Sequence, residues 1–370
     1  MTHALAIKWD DYHPHPVMSR AVDYLNERSL EEIIQALPQA QIYRGNRVIF
    51  DYRIYSHCDL GKVDKLYVLL DGFGVKASSP DSGIKNLLAD LILKGQDQKY
   101  AVLVVGGLYS FPASVRSRLL RQGSGALAVV AQGVADLIQA TFTACRTATV
   151  SGYSLGGVLA PLVSSALATR GVVRIDQVGC AEPSYAAVSS SKTQLLNRVA
   201  RGTAYRNEQI ASTAIKPYIM VKTTPPTRWA MLNYRLNQYR PLLWRLASMR
   251  LVVRDLALQA HDYPPASRDI QIQPALLHLA ARGTRINLLH AEHSSVCHGE
   301  PFTRLVNRLE TEKATDLLVI TIQGPKADHG IEERRTLSAP FLVKPEMYWA
   351  TADIDDDFSQ FNSTHVRSLL

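Results

Sequence analysis

One stretch restricts the folds open to this chain more than any other: Thr147 to Thr169, TATVSGYSLGGVLAPLVSSALAT. A short β-prone run ends in Gly152, Tyr153, Ser154, Leu155 and Gly156, and the small and apolar residues that follow read as a helix. The order is strand, tight turn, helix. A serine on such a turn needs neighbours without side chains, because the helix and the adjoining strands pass within contact distance. Gly152 and Gly156 meet that need. The turn lifts the Ser154 hydroxyl above the sheet edge and brings the backbone N–H of Leu155, at the helix N-terminus, towards a developing oxyanion. Ser154 is the expected nucleophile.

The flanking sequence repeats the same rhythm. Apolar runs at 64–70, 100–105, 172–180, 283–290 and 315–322 read as strands, and 125–143 and 301–312 read as helices. A further helix is expected after Asp81, with Leu87, Leu88, Leu91 and Ile92 on its apolar face. Segments 41–44 and 47–55 flank Gly45 and Asn46, which predicts a hairpin turning at that pair. Residues 1–16 are polar and read as a solvated arm, whose His13 and His15 are separated by Pro14; two short helices follow and stop at Pro38. Strands alternating with helices predict an α/β fold, a mainly parallel sheet flanked by helices, with ligands at the carboxyl ends of its strands.

The G-x-S-x-G turn in this context, with the turn Asp71-Gly72-Phe73-Gly74 closing an earlier apolar strand, resembles the α/β-hydrolase superfamily from about residue 40 to 340. The resemblance implies a core of residues 39–184 and 281–345 and a helical cap, 185–280, inserted after the sixth strand. The remaining segments are an N-terminal helical arm, 1–38, and a C-terminal tail, 346–370. It also implies a second oxyanion donor, the backbone N–H of Phe73, although Asp71 stands where relatives often carry histidine.

A serine hydroxyl is a poor nucleophile at neutral pH, so it needs a base, and the base an orienting acid. In the superfamily these follow in the order serine, acid, histidine. His329, in the loop after the last strand and ahead of a glycine, then takes the place of the base. Relatives commonly carry the acid a few residues past the seventh strand, where this chain has Ser294, which cannot serve. Glu292 is the first choice, and Glu182, after the sixth strand, the alternative. His290, Glu292, His293 and His298 crowd one loop, but the H-E-x-x-H spacing of a helical zinc site is absent. No metal and no cofactor are expected.

Charge is distributed unevenly. The net charge is +8, yet between Lys192 and Arg254 twelve Lys or Arg face one acid, Glu208, so the rest of the chain is close to −3. This basic segment also carries Trp229 and Trp244. It suits an anionic surface or an anionic, lipid-like substrate; without a recognised binding motif, nucleic acid is the weaker reading. The four cysteines are scattered and form no C-x-x-C pair. With no secretory signal pattern and no apolar run long enough to span a bilayer, a cytoplasmic location is expected.

The activity expected is that of a serine hydrolase cleaving an ester, thioester or related acyl bond of a small-molecule or lipid-like substrate. Acyl transfer by the same residues is one alternative. The other is a catalytically silent binding protein that docks through the basic cap.

Overall fold

The computed structural model describes residues 2–8, 41–46, 50–56, 58–72, 77, 99–106, 114, 117, 121, 125–184, 272–292, 294, 297, 300–312 and 316–323. Among these, nine strands form one sheet: β1 (Thr2–Lys8), β2 (Gln41–Asn46), β3 (Asp51–Ser56), β4 (Lys65–Leu70), β5 (Tyr100–Gly106), β6 (Thr147–Tyr153), β7 (Arg174–Ala181), β8 (Arg285–Ala291) and β9 (Leu317–Gln323). The spatial order is β1-β9-β8-β7-β6-β4-β5-β3-β2. Only β3 runs against its neighbours; every other adjacent pair in this sheet is parallel. The expected mainly parallel sheet is the one the chain forms.

The central strands are apolar because both their faces are covered. β5 is buried at every position, and Leu66, Val68, Leu69 and Leu70 of β4 are buried as well. Four helices complete the described core: α1 (Ala126–Thr141), α2 (Leu155–Arg170), α3 (Ile272–Ala280) and α4 (Glu300–Thr311). Helix α2 lies against β6 and β7 and touches both α1 and α3. Hemmed in on several sides, it is buried from Leu155 to Ala168, which accounts for its run of small and apolar residues without a polar face. It stops at Gly171, left-handed at φ 68°, where a residue with a side chain would be strained. Arg170 in its last turn reaches α1, 2.6 Å from Asp136 and 2.7 Å from Gln132.

Three expectations are corrected. The N-terminal stretch read as a solvated arm contains β1, which pairs in parallel with β9 from Thr2 opposite Leu317 to Lys8 opposite Gln323. Its hydrogen-bonding partner lies near the other end of the chain, so no local pattern announces it. The hairpin does not turn at Gly45 and Asn46: Gly45 is a strand residue opposite Tyr52, and pairing continues to Asn46 opposite Asp51. A β-carbon on Gly45 would stand 2.2 Å from the Tyr52 ring, so this glycine admits an aromatic ring across the ladder. Finally, the reading of 185–280 as cap took in α3. Ile272, Ala275, Leu276 and Leu279 are fully buried, and the helix packs on α2, so it belongs to the core. The expected N-terminal helices, the helix at Leu87 to Ile92, the basic segment and the C-terminal tail lie outside the described residues.

Candidate active site

β6 ends and α2 begins at Ser154, whose backbone takes φ 56° and ψ −114°. A residue with a side chain reaches that region only under strain, of order 1–3 kcal/mol, and stays there only if its surroundings impose it. Here they do so through backbone contact. A β-carbon on Gly152 would lie 2.1 Å from the Gly156 carbonyl oxygen, and one on Gly156 would lie 1.9 Å from that of Leu70. The first turn of α2 is thus pressed against the ends of both β6 and β4. Ser154 occupies the N-cap position of α2, yet its side chain makes no capping bond. Leu155, buried, is the first helical residue, and its N–H is one of the four that a helix N-terminus leaves without an intrahelical acceptor.

The turn after β7 wraps this elbow. The Ser154 N–H donates to the Ala181 carbonyl at 2.9 Å, and the Ser184 N–H donates to the Ser154 carbonyl at 3.1 Å. The two hydroxyls meet: Ser154 Oγ and Ser184 Oγ are 3.1 Å apart, and both residues are buried. Sequence reasoning passed over Ser184, and no spacing rule would have found it, because its proximity arises from two loops meeting in space.

The two candidate acids stand at the carboxyl ends of neighbouring strands but in opposite environments. Glu292, at the end of β8, is exposed, and its N–H donates to the Ile322 carbonyl at 2.8 Å. Glu182, at the end of β7, is fully buried and takes a positive φ of 48°. Its carboxylate accepts the Ala291 N–H with one oxygen and the Ser294 hydroxyl with the other. Ser294 Oγ in turn accepts the Cys297 N–H at 3.0 Å. Ser294 fills the position at which the resemblance places an acid, and here it supports the carboxylate of the neighbouring strand. Burial, then the charge of Glu182 and the nearby Cys180, push the Cys297 thiol well up, so a neutral thiol lies near the carboxylate.

On the other side of β6, the turn that follows β4 approaches the nucleophile. Asp71 is buried; its N–H donates to the Val105 carbonyl, and its carboxylate accepts the Gly72 N–H at 2.7 Å. The open side of Gly72 faces Ser154, since a β-carbon there would be 3.5 Å from Ser154 Cβ. Asp71 thereby fixes the entry to the turn with its own side chain. Phe73 and His329, the expected second donor and base, lie outside the described residues, as do His293 and His298. His290 is engaged elsewhere, with Nε2 2.8 Å from Thr321 Oγ1 and its ring against Phe302. Among the described residues no group of three His, Cys, Asp or Glu is placed to hold a metal ion, and no helix is long and apolar enough to cross a membrane.

Among solved structures, the chain is similar to a bacterial membrane phospholipase A described as a virulence factor. That pair shares 13% identity over 92% of this chain and 96% of that one, with a TM-score of 0.51. An esterase from Pyrobaculum calidifontis has 13% identity over 90% of this chain and 95% of its own, with a TM-score of 0.41. A thioesterase domain from the curacin biosynthetic pathway has 14% identity over 82% and 99%, with a TM-score of 0.40. No protein-family model matches the chain, and no curated protein matches it in sequence. At such identities the likeness to the phospholipase concerns the architecture, and chemistry has to be argued from the residues.

Proposed function

We propose that this chain, an α/β-hydrolase by fold, cleaves ester, thioester or related acyl bonds through an acyl-enzyme formed on Ser154. The observation that carries the reading is the strained backbone of Ser154, at φ 56° and ψ −114°, between a strand and a helix that start and stop around it. A merely structural serine at a helix start has no reason to occupy that region, whereas a nucleophile that must stand clear of the sheet does.

In this reading Ser154 Oγ attacks the acyl carbon while His329 takes its proton, and the N–H groups of Leu155 and Phe73 hold the oxyanion. The bond to the leaving alcohol or thiol then breaks, and that group departs with the proton from His329. Water repeats the sequence on the acyl-enzyme and regenerates the Ser154 hydroxyl. For the orienting acid, Glu182 is preferred to Glu292. A buried carboxylate held by two donors keeps a fixed direction, as an exposed side chain does not, and a carboxylate in that place orients the imidazole by accepting its N–H. No cofactor enters these steps.

The basic excess between Lys192 and Arg254 favours an anionic or lipid-like acyl group. Raising ionic strength should then weaken KM for anionic substrates more than for neutral ones. Acyl transfer to an alcohol uses the same residues, and transesterification in the presence of added alcohols separates it from hydrolysis. The test of the reaction itself is a panel of p-nitrophenyl esters and acyl-CoA thioesters. Turnover by the wild type that falls about 10⁴-fold or more in Ser154→Ala supports it. Turnover unchanged in that variant moves the chemistry to another residue, and no turnover on any member of the panel speaks for a silent binding protein.

A further inference from the structure

We infer that Ser184 is a positioning residue for the Ser154 nucleophile: its hydroxyl holds the Ser154 oxygen on the elbow and leaves the Ser154 proton for the base. The inference rests on the reading of Ser154 as nucleophile. Two contacts bind the two residues, and a third ties Ser154 to the strand end that leads to Ser184. The Ser154 N–H reaches Ala181, the Ser184 N–H reaches the Ser154 carbonyl at 3.1 Å, and the two hydroxyl oxygens are 3.1 Å apart. The turn that carries Ser184 is also packed on the helix. A β-carbon on Gly157 would lie 3.1 Å from the Ala181 carbonyl oxygen and 3.1 Å from Pro183 Cα. The backbone thus places the Ser184 hydroxyl before any substrate arrives, and little ordering remains to be done when the bond forms.

The chemistry of two hydroxyls decides what this contact does. Each has one proton to give and two lone pairs to receive with. With Ser184 as donor, Ser154 Oγ keeps its own proton for the imidazole, and the accepted bond grows stronger as that proton leaves and charge builds on the oxygen. Once the acyl group is attached, the same oxygen becomes an ester oxygen and a weaker acceptor. Charge returns to that oxygen when water expels it, so Ser184 acts on the breakdown of the acyl-enzyme as well as on its formation. Both serines are buried, so water does not readily take over the role when the hydroxyl is removed.

The experiment compares Ser184→Thr with Ser184→Val, which are close in shape and crowd the site equally but differ in the hydroxyl, and adds Ser184→Ala. The readouts are the second-order rate of Ser154 modification by a fluorophosphonate probe, and kcat and KM on a p-nitrophenyl ester. The Thr variant should be modified about tenfold faster than the Val variant, equivalent to ~1.4 kcal/mol. The Ala variant should fall with Val, and KM should stay within about twofold throughout. Equal rates for Thr and Val, or an Ala variant as fast as the wild type, overturn the inference. A wild type modified at Ser154 together with either of those outcomes defeats this inference alone. A wild type that is not modified at all defeats the reading of Ser154 and the inference with it.

Discussion

Gly156 lies so close to Leu70 that a β-carbon built on it would stand 1.9 Å from the Leu70 carbonyl oxygen. The contact couples the end of β4, where the Asp71–Gly72 turn begins, to the first turn of α2, where Ser154 is displayed. The strain at Ser154 is held by backbone meeting backbone, which cannot be relieved by a side chain swinging aside.

Gly156→Ala should therefore destabilise the fold by about 3 kcal/mol or more, since β4 or α2 must move to admit the methyl group. Gly283→Ala is the comparison: Gly283 has φ 76° and nothing within 4 Å of the added carbon, so only the left-handed backbone is penalised, at about 1–2 kcal/mol. Urea unfolding of the two variants measures the difference. Equal losses would mean that the elbow is looser than described.

Glu182→Gln should lower kcat by about a hundredfold or more, because an amide no longer stabilises the imidazolium formed during attack. Glu292→Gln, at an exposed position, should stay within about twofold of the wild type. Steady-state kinetics on one ester decides between them, and the reverse ranking would return the role of the acid to Glu292.

Leu276→Ala should cost about 3 kcal/mol, the loss expected for a fully buried leucine that leaves a cavity. The measurement is again urea unfolding. A loss below about 0.5 kcal/mol would place α3 in a peripheral cap after all.

Alkaline pH should weaken the fold through its buried thiols. Burial, with the charges of Asp64 and Asp176 adding to it, pushes the Cys145 thiol from 9.0 up to about 11. The folded chain then keeps a proton that the unfolded chain releases. The stability tied to that proton is whole below about pH 9 and is lost as pH rises towards about 11. Cys180 and Cys297, pushed up by burial too, act in the same direction. Melting temperatures between pH 8 and 10.5 should fall, and fall less steeply in Cys145→Ala; identical slopes would contradict this account.

The parts of the fold that were legible in the sequence are those with a local cause. β4 and β5 announce themselves because a strand covered on both faces is largely apolar, and the elbow announces itself because close backbone approach demands Gly152 and Gly156. What escaped has a distant cause. β1 is a strand because β9 offers it an edge, Gly45 is a strand residue because Tyr52 lies across from it, and α3 is core because α2 needs covering. The same holds at the site. Ser154 was found from its own neighbours, whereas the burial of Glu182, the support it receives from Ser294 and the approach of Ser184 depend on loops from different strands meeting.

The central claim is that Ser154 is a nucleophile activated by its surroundings. The most direct measurement is peptide mapping by mass spectrometry after treating the folded protein with a fluorophosphonate. The account predicts one adduct on the peptide carrying Ser154, formed in the native protein and absent when the protein is denatured before treatment or carries Ser154→Ala. An adduct on another residue, or none under conditions that keep the protein folded, would contradict it.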